Sequence, residues 1–82
     1  MYTTYILLSL KTNKYYTGQT SDMVRRLEEH NRGKTPSMKK GTPWQLVFSK
    51  EFDSRSDALK LEKIIKKRGA ARFLNEYQAT DG

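Results

Sequence analysis

The chain has no cysteine, so neither a disulfide framework nor a thiolate zinc site can supplement its core. It has no apolar run long enough to span a bilayer. The N-terminus lacks the basic lead and small-residue cleavage site of a signal peptide, and Tyr5 to Leu10 is too short for the apolar region of one. A soluble, cytoplasmic protein with no membrane partner is therefore expected. Acidic residues are scarce, nine against sixteen lysines and arginines, which leaves a formal charge of +7 on 82 residues. So strong a basic balance on one small domain favours an anionic partner, most simply nucleic acid. The ordinary alternative is a solubilising surface charge. Length allows one domain, read as residues 1–78 with a frayed tail at 79–82, and a modest core.

Thr3 to Leu10 is rich in β-branched, aromatic and aliphatic residues and nearly continuous, as in a strand covered on both faces. Lys11 to Lys14 is a polar turn, and Tyr15-Tyr16-Thr17 returns as a second strand that Gly18 stops. Thr20, Ser21 and Asp22 offer N-caps for a helix over Met23 to Asn31, with Gly33 as its stop. Its apolar stripe is Met23, Val24 and Leu27. Arg26 and His30 lie one turn apart at the border of that stripe, while Arg25, Glu28 and Glu29 face outward. Residues 32–40 carry four positive charges and no acid. With Gly33, Pro36, Gly41 and Pro43 as breakers, this stretch reads as a basic loop suited to phosphate contacts.

Trp44 to Phe52 reads as a third strand, with Leu46, Phe48 and Lys50 alternating with Val47, Ser49 and Glu51. Trp44 anchors it in the core or stacks on a base. Ser54 to Asp57 resembles a capping box that opens a second helix, Ser56 to Lys67. Gly69 follows, and Ala70 to Tyr77 is a short terminal helix. With Ala58 as zero on the second helix, Leu61, Ile64 and Ile65 fall between about 240° and 340°, and Leu59 at about 100°. Glu62 falls at about 40°, the one acid inside the apolar arc. A carboxylate there is costly unless a cation, metal or hydrogen bond compensates it. A salt bridge to Lys66 one turn later, or to an arginine of the first helix, is the plain structural explanation.

Tyr5, then Tyr16-Thr17-Gly18, then Arg26 and His30 on one helix, then Glu62 on a later one, resemble the GIY-YIG nuclease superfamily. The resemblance runs from about Thr3 to Leu74. It is strongest to small stand-alone members described as uncharacterised endonucleases, which share runs similar to Arg25-Arg26-Leu27-Glu28-Glu29-His30-Asn31 and Phe52-Asp53-Ser54-Arg55-Ser56-Asp57-Ala58-Leu59. Thr3 and Thr4 replace the glycine and isoleucine of the first name motif, and Thr17 the isoleucine of the second. These are strand positions that threonine suits.

The resemblance implies an α/β fold of α+β type: a small three-stranded antiparallel sheet flanked by helices. It implies hydrolysis of nucleic-acid phosphodiesters, DNA first, with one Mg2+ or Mn2+ per site. Glu62 would hold the metal, and Arg26 would neutralise phosphoryl charge. Tyr5 would handle the attacking water, Tyr16 and His30 would orient water or move protons, and Gly18 would make a tight turn between strand and helix. Arg25, Lys34, Lys39 and Lys40 are weaker candidates for phosphate contacts, with no motif behind them. Asn75 stays outside the set. Each residue also has an ordinary explanation: satisfied core tyrosines, a solvated arginine, a histidine favoured by a helix C-terminus. Two other functions compete with the nuclease. One is a non-catalytic nucleic-acid-binding module on the same fold, and the other a small basic protein docked on a larger protein partner.

Overall fold

The computed structural model describes residues 1–33 and 36–81. The elements are β1 (Tyr2–Ser9), β2 (Tyr15–Thr20), α1 (Met23–Asn31), α2 (Pro36–Lys39), β3 (Trp44–Phe52), α3 (Arg55–Arg68) and α4 (Ala70–Asp81). The three strands form one sheet in the order β2-β1-β3, with both pairings antiparallel. β1 is central, which explains its nearly unbroken run of buried residues. The β1–β2 connection turns through Asn13 at φ 61°, a left-handed conformation that asparagine tolerates. Among the described residues, no helix is long and apolar enough to cross a membrane.

A bulge in β3 divides the core. Ile6 pairs with Phe48, but Leu7 pairs with Leu46, so Val47 is the extra residue. Leu46 and Phe48 therefore face opposite sides of the sheet, not the same side as strict alternation requires. On one side Ile6, Phe48 and Ile65 pack with Leu61, Phe73 and Leu74 from α3 and α4. On the other, Leu7, Met38 and Trp44 pack with Tyr16, Met23 and Leu27.

Each long helix presents a different face from the one its composition suggests. In α1 the covered positions are Met23, Leu27 and His30, at i, i+4 and i+7, while Val24 is 72% exposed. In α3 Ala58 and Ile65 are fully buried and Leu61 is half-buried, while Ile64 is 55% exposed. Burying Ile65 contributes about 1.5–3 kcal/mol and Ile64 little of that. Glu62 is half-buried at the edge of this stripe, between Ala58 and Leu59 around the helix. Ser54 caps α3 by accepting from the Asp57 N–H at 3.1 Å. The Thr4 hydroxyl ties β1 to α3 by donating to the Ala58 carbonyl at 2.6 Å.

The basic stretch after α1 is not wholly loop. Pro36–Lys39 forms a turn of helix that buries Met38. The Trp44 indole N–H donates to the Met38 carbonyl at 2.8 Å, so Trp44 is an anchor in the core. The Asn31 side chain completes this corner: Oδ1 accepts from the Trp44 N–H at 2.6 Å and Nδ2 donates to the Trp44 carbonyl at 3.1 Å. α4 continues to Asp81, past the end expected at Tyr77, and Gly82 lies outside the described residues.

Candidate active site

β1 places Tyr5 at the middle of the sheet, opposite Gly18 of β2. The Tyr5 ring lies over that glycine. A Cβ on Gly18 would sit 2.8 Å from the Tyr5 hydroxyl oxygen and 3.0 Å from Cζ, so only glycine leaves room for the phenol. This corrects the turn expected at Gly18. β2 runs two residues further, to Thr20, and Gly18 is not in the left-handed region. The glycine serves a close approach between strands.

Around Tyr5 the fold gathers two more rings. Tyr16 pairs with Leu7 and shares the face of Tyr5, their ring centroids 6.2 Å apart and 29° from parallel. His30 comes down from α1 with only 1% of its surface exposed. Its Nε2 is 3.3 Å from the Tyr5 hydroxyl, and its ring meets that of Tyr16 edge-on at 5.2 Å. Nδ1 of His30 is buried with no partner among the described residues. An orphaned buried N–H is rarer than an orphaned acceptor, so hydrogen-bond accounting puts the proton on Nε2, donating to Tyr5.

Burial, and after it the Arg26 charge, hold the His30 pKa below its ordinary 6.5. An unfolded His30 takes up a proton as pH falls through 6.5, while the folded one resists. The stability from keeping it neutral is therefore complete above about 6.5 and is lost as pH drops toward the lower folded pKa. Thermal melting of the parent and His30→Gln between about pH 7.5 and pH 5 tests this. The parent is expected to lose more stability across that window, and equal losses would contradict the assignment.

Arg26, one turn before His30, lies against both phenols. Tyr5 first, and Tyr16 after it, raise its already high pKa. Tyr5 itself is raised above 10.0 chiefly by burial, with the Arg26 contact opposing the rise and the charges of Tyr16 and Glu62 adding to it. Glu62 is the weakest of these influences on Tyr5, and the structure does not bring it into the cluster: α3 packs on the sheet face opposite α1. The Glu62 side chain is 16% exposed and pairs with Lys66 at 2.7 Å, the partner that helical spacing offers it.

The weaker candidates are scattered. Lys39 and Lys40 are exposed near Trp44, and Lys34 lies outside the described residues. Arg25 is exposed, but it lines a cleft of about 360 Å3 with Tyr2, Gln19, Arg26, Glu29 and Arg55. Sequence reasoning passed over four of these, Gln19 among them. Glu29, expected to face outward, is half-buried and lies 3.9 Å from Arg25 and 3.8 Å from Arg26. Its spacing of three from Arg26 is the signal that could have found it. Tyr2 and Arg55 give no such signal, because only the fold brings the start of β1 to the start of α3.

No cluster of three or more metal-ligating side chains occurs among the described residues. Glu62 fits a metal that needs few protein ligands. It is a half-buried carboxylate whose cation partner, Lys66, is more than half exposed.

A three-stranded antiparallel sheet flanked by helices is consistent with the α/β fold of a GIY-YIG domain. The sequence matches the GIY-YIG catalytic domain family over residues 1–78, and the chain belongs to that family, within the nuclease superfamily. It is similar to a UPF0213 protein of Halobacterium salinarum, 42% identical over 71% of this chain and 77% of the relative. A UPF0213 protein of Streptococcus pneumoniae is 33% identical over 88% of this chain and 77% of its own length. One from Listeria monocytogenes is 36% identical over 77% and 72%. No solved structure gives a significant match.

Proposed function

We propose that the chain is a divalent-metal-dependent endonuclease that hydrolyses nucleic-acid phosphodiesters, with DNA as the first substrate class to test. The observation that carries this reading is the gathering of Tyr5, Tyr16, Arg26 and His30 into one buried-to-surface cluster. Arg26 offers a fixed cation for charge that grows on the phosphoryl oxygens. Neutral His30 donates to the Tyr5 oxygen and holds the phenol in place. Tyr5 is a neutral phenol at neutral pH, and burial makes it harder to ionise. To act as base toward the attacking water it must first lose its own proton to solvent, and the Arg26 charge, which opposes the rise in its pKa, favours that phenolate. Glu62, with Lys66 displaced, would hold a metal that supplies Lewis-acid stabilisation of the leaving oxygen. Tyr16 packs against Tyr5 and His30 and fixes their approach.

The Glu62–Lys66 pair favours a second reading, a nucleic-acid-binding module in which Glu62 is structural. Incubation with duplex, nicked, flapped and branched DNA in Mg2+, Mn2+ or EDTA separates the two. Cleavage in either metal and none in EDTA is expected. Salt-sensitive binding without cleavage in any arm would establish the binding module instead.

A further inference from the structure

The cleft beside Arg26 is not used by the cluster above, and its chemistry points to an anion. We propose that it is a phosphate-binding subsite which seats a backbone phosphate neighbouring the one attacked, with Arg55 and Arg25 as the residues that grip it. The inference rests on the nuclease reading for the identity of the phosphate, since Arg26 is the wall shared by cleft and cluster.

Three arginines from two elements line the cleft: Arg25 and Arg26 of α1, and Arg55, the first residue of α3. Its two carboxylates are already engaged. Asp22 caps α1 by accepting from the Arg25 N–H at 3.1 Å, and Glu29 sits between Arg25 and Arg26. Arg55 has no ion pair or hydrogen bond among the described residues. It also stands at the positive end of the α3 macrodipole, where a cation is disfavoured. The free protein therefore holds an uncompensated positive charge over a cleft. A phosphate bridging Arg55 and Arg25 relieves that repulsion and accepts bidentate hydrogen bonds from either guanidinium.

Fluorescence anisotropy in EDTA tests the subsite without cleavage, using a short fluorescein-labelled oligonucleotide with or without a 5′-phosphate. Arg55→Ala is expected to weaken binding about five-fold and to lower the slope of log affinity against log salt by about 1. Its melting temperature should hold or rise slightly, because a cation leaves the positive helix end. Equal loss on both oligonucleotides identifies an internal phosphodiester, and loss confined to the phosphorylated one identifies a terminal phosphate. If Mg2+-dependent cleavage is found, KM should rise more than kcat falls. Affinity and salt slope equal to the parent's would overturn the subsite alone. Loss of binding in Arg55→Ala without cleavage by the parent would uphold the subsite and remove the nuclease reading. A parent that binds neither oligonucleotide would overturn both.

Discussion

Glu62→Ala is expected to abolish metal-dependent cleavage and leave the fold standing. Alanine has the higher helix propensity and suits a half-buried position beside Ala58. The lost Lys66 pair is about half-exposed at the lysine, so its contribution lies in the range of about 0–1 kcal/mol. Relief from holding a carboxylate at a half-buried position acts in the opposite direction. Stability by denaturant titration should therefore change by less than about 1 kcal/mol. Mn2+ binding, read by paramagnetic broadening, should disappear together with cleavage. Lys66→Ala separates this role from a structural one. Freed of its lysine, Glu62 should bind metal at least as well as in the parent. A Glu62→Ala protein that still cuts in Mg2+ would rule out the assignment.

Arg26→Ala should cost about 10²–10³ in kcat, the usual loss when one fixed donor to a developing oxyanion is removed. Arg26→Lys should recover little of it, because an ammonium cannot face two phenol oxygens and a phosphate in one plane. The pH profile adds a readout that misfolding would not reproduce. Arg26 is the contact that opposes the upward shift of the Tyr5 pKa. Without it the phenol is harder to ionise, so the alkaline rise in residual cleavage should move to higher pH. The same substitution removes a charge that lowers the His30 pKa, which should therefore rise. Stopped-time assays across neutral to alkaline pH test the first shift, and NMR titration of the single histidine tests the second. A residual profile superimposable on the parent's would show that Arg26 does not act through Tyr5.

Much of this was legible before any coordinates. The bounds of α1 and β3 follow from local chemistry, an aspartate cap at Asp22 and a β-rich run after Pro43. The oddity of Glu62 followed from its angle on a helix, and Lys66 from a spacing of four. The central place of β1 followed from a run with no polar alternation. Each of these depends on interactions within a few residues, where spacing and geometry are tied together.

What required the tertiary structure was direction. Periodicity places Val24 near Met23 and Ile64 near Ile65, but only the sheet decides which edge of the stripe is covered; both Val24 and Ile64 lost that contest to His30 and Ala58. One bulged residue, Val47, reversed the face of everything before it on β3. Gly18 looked like a turn because its partner, Tyr5, is thirteen residues away and only strand pairing brings the ring over it. Arg55 and Tyr2 share a cleft through the same kind of distant meeting. Sequence alone determined which chemical groups this protein carries and on which elements. The non-local packing of those elements decided which groups meet, because burial is settled by the partner surface and not by the segment that is buried.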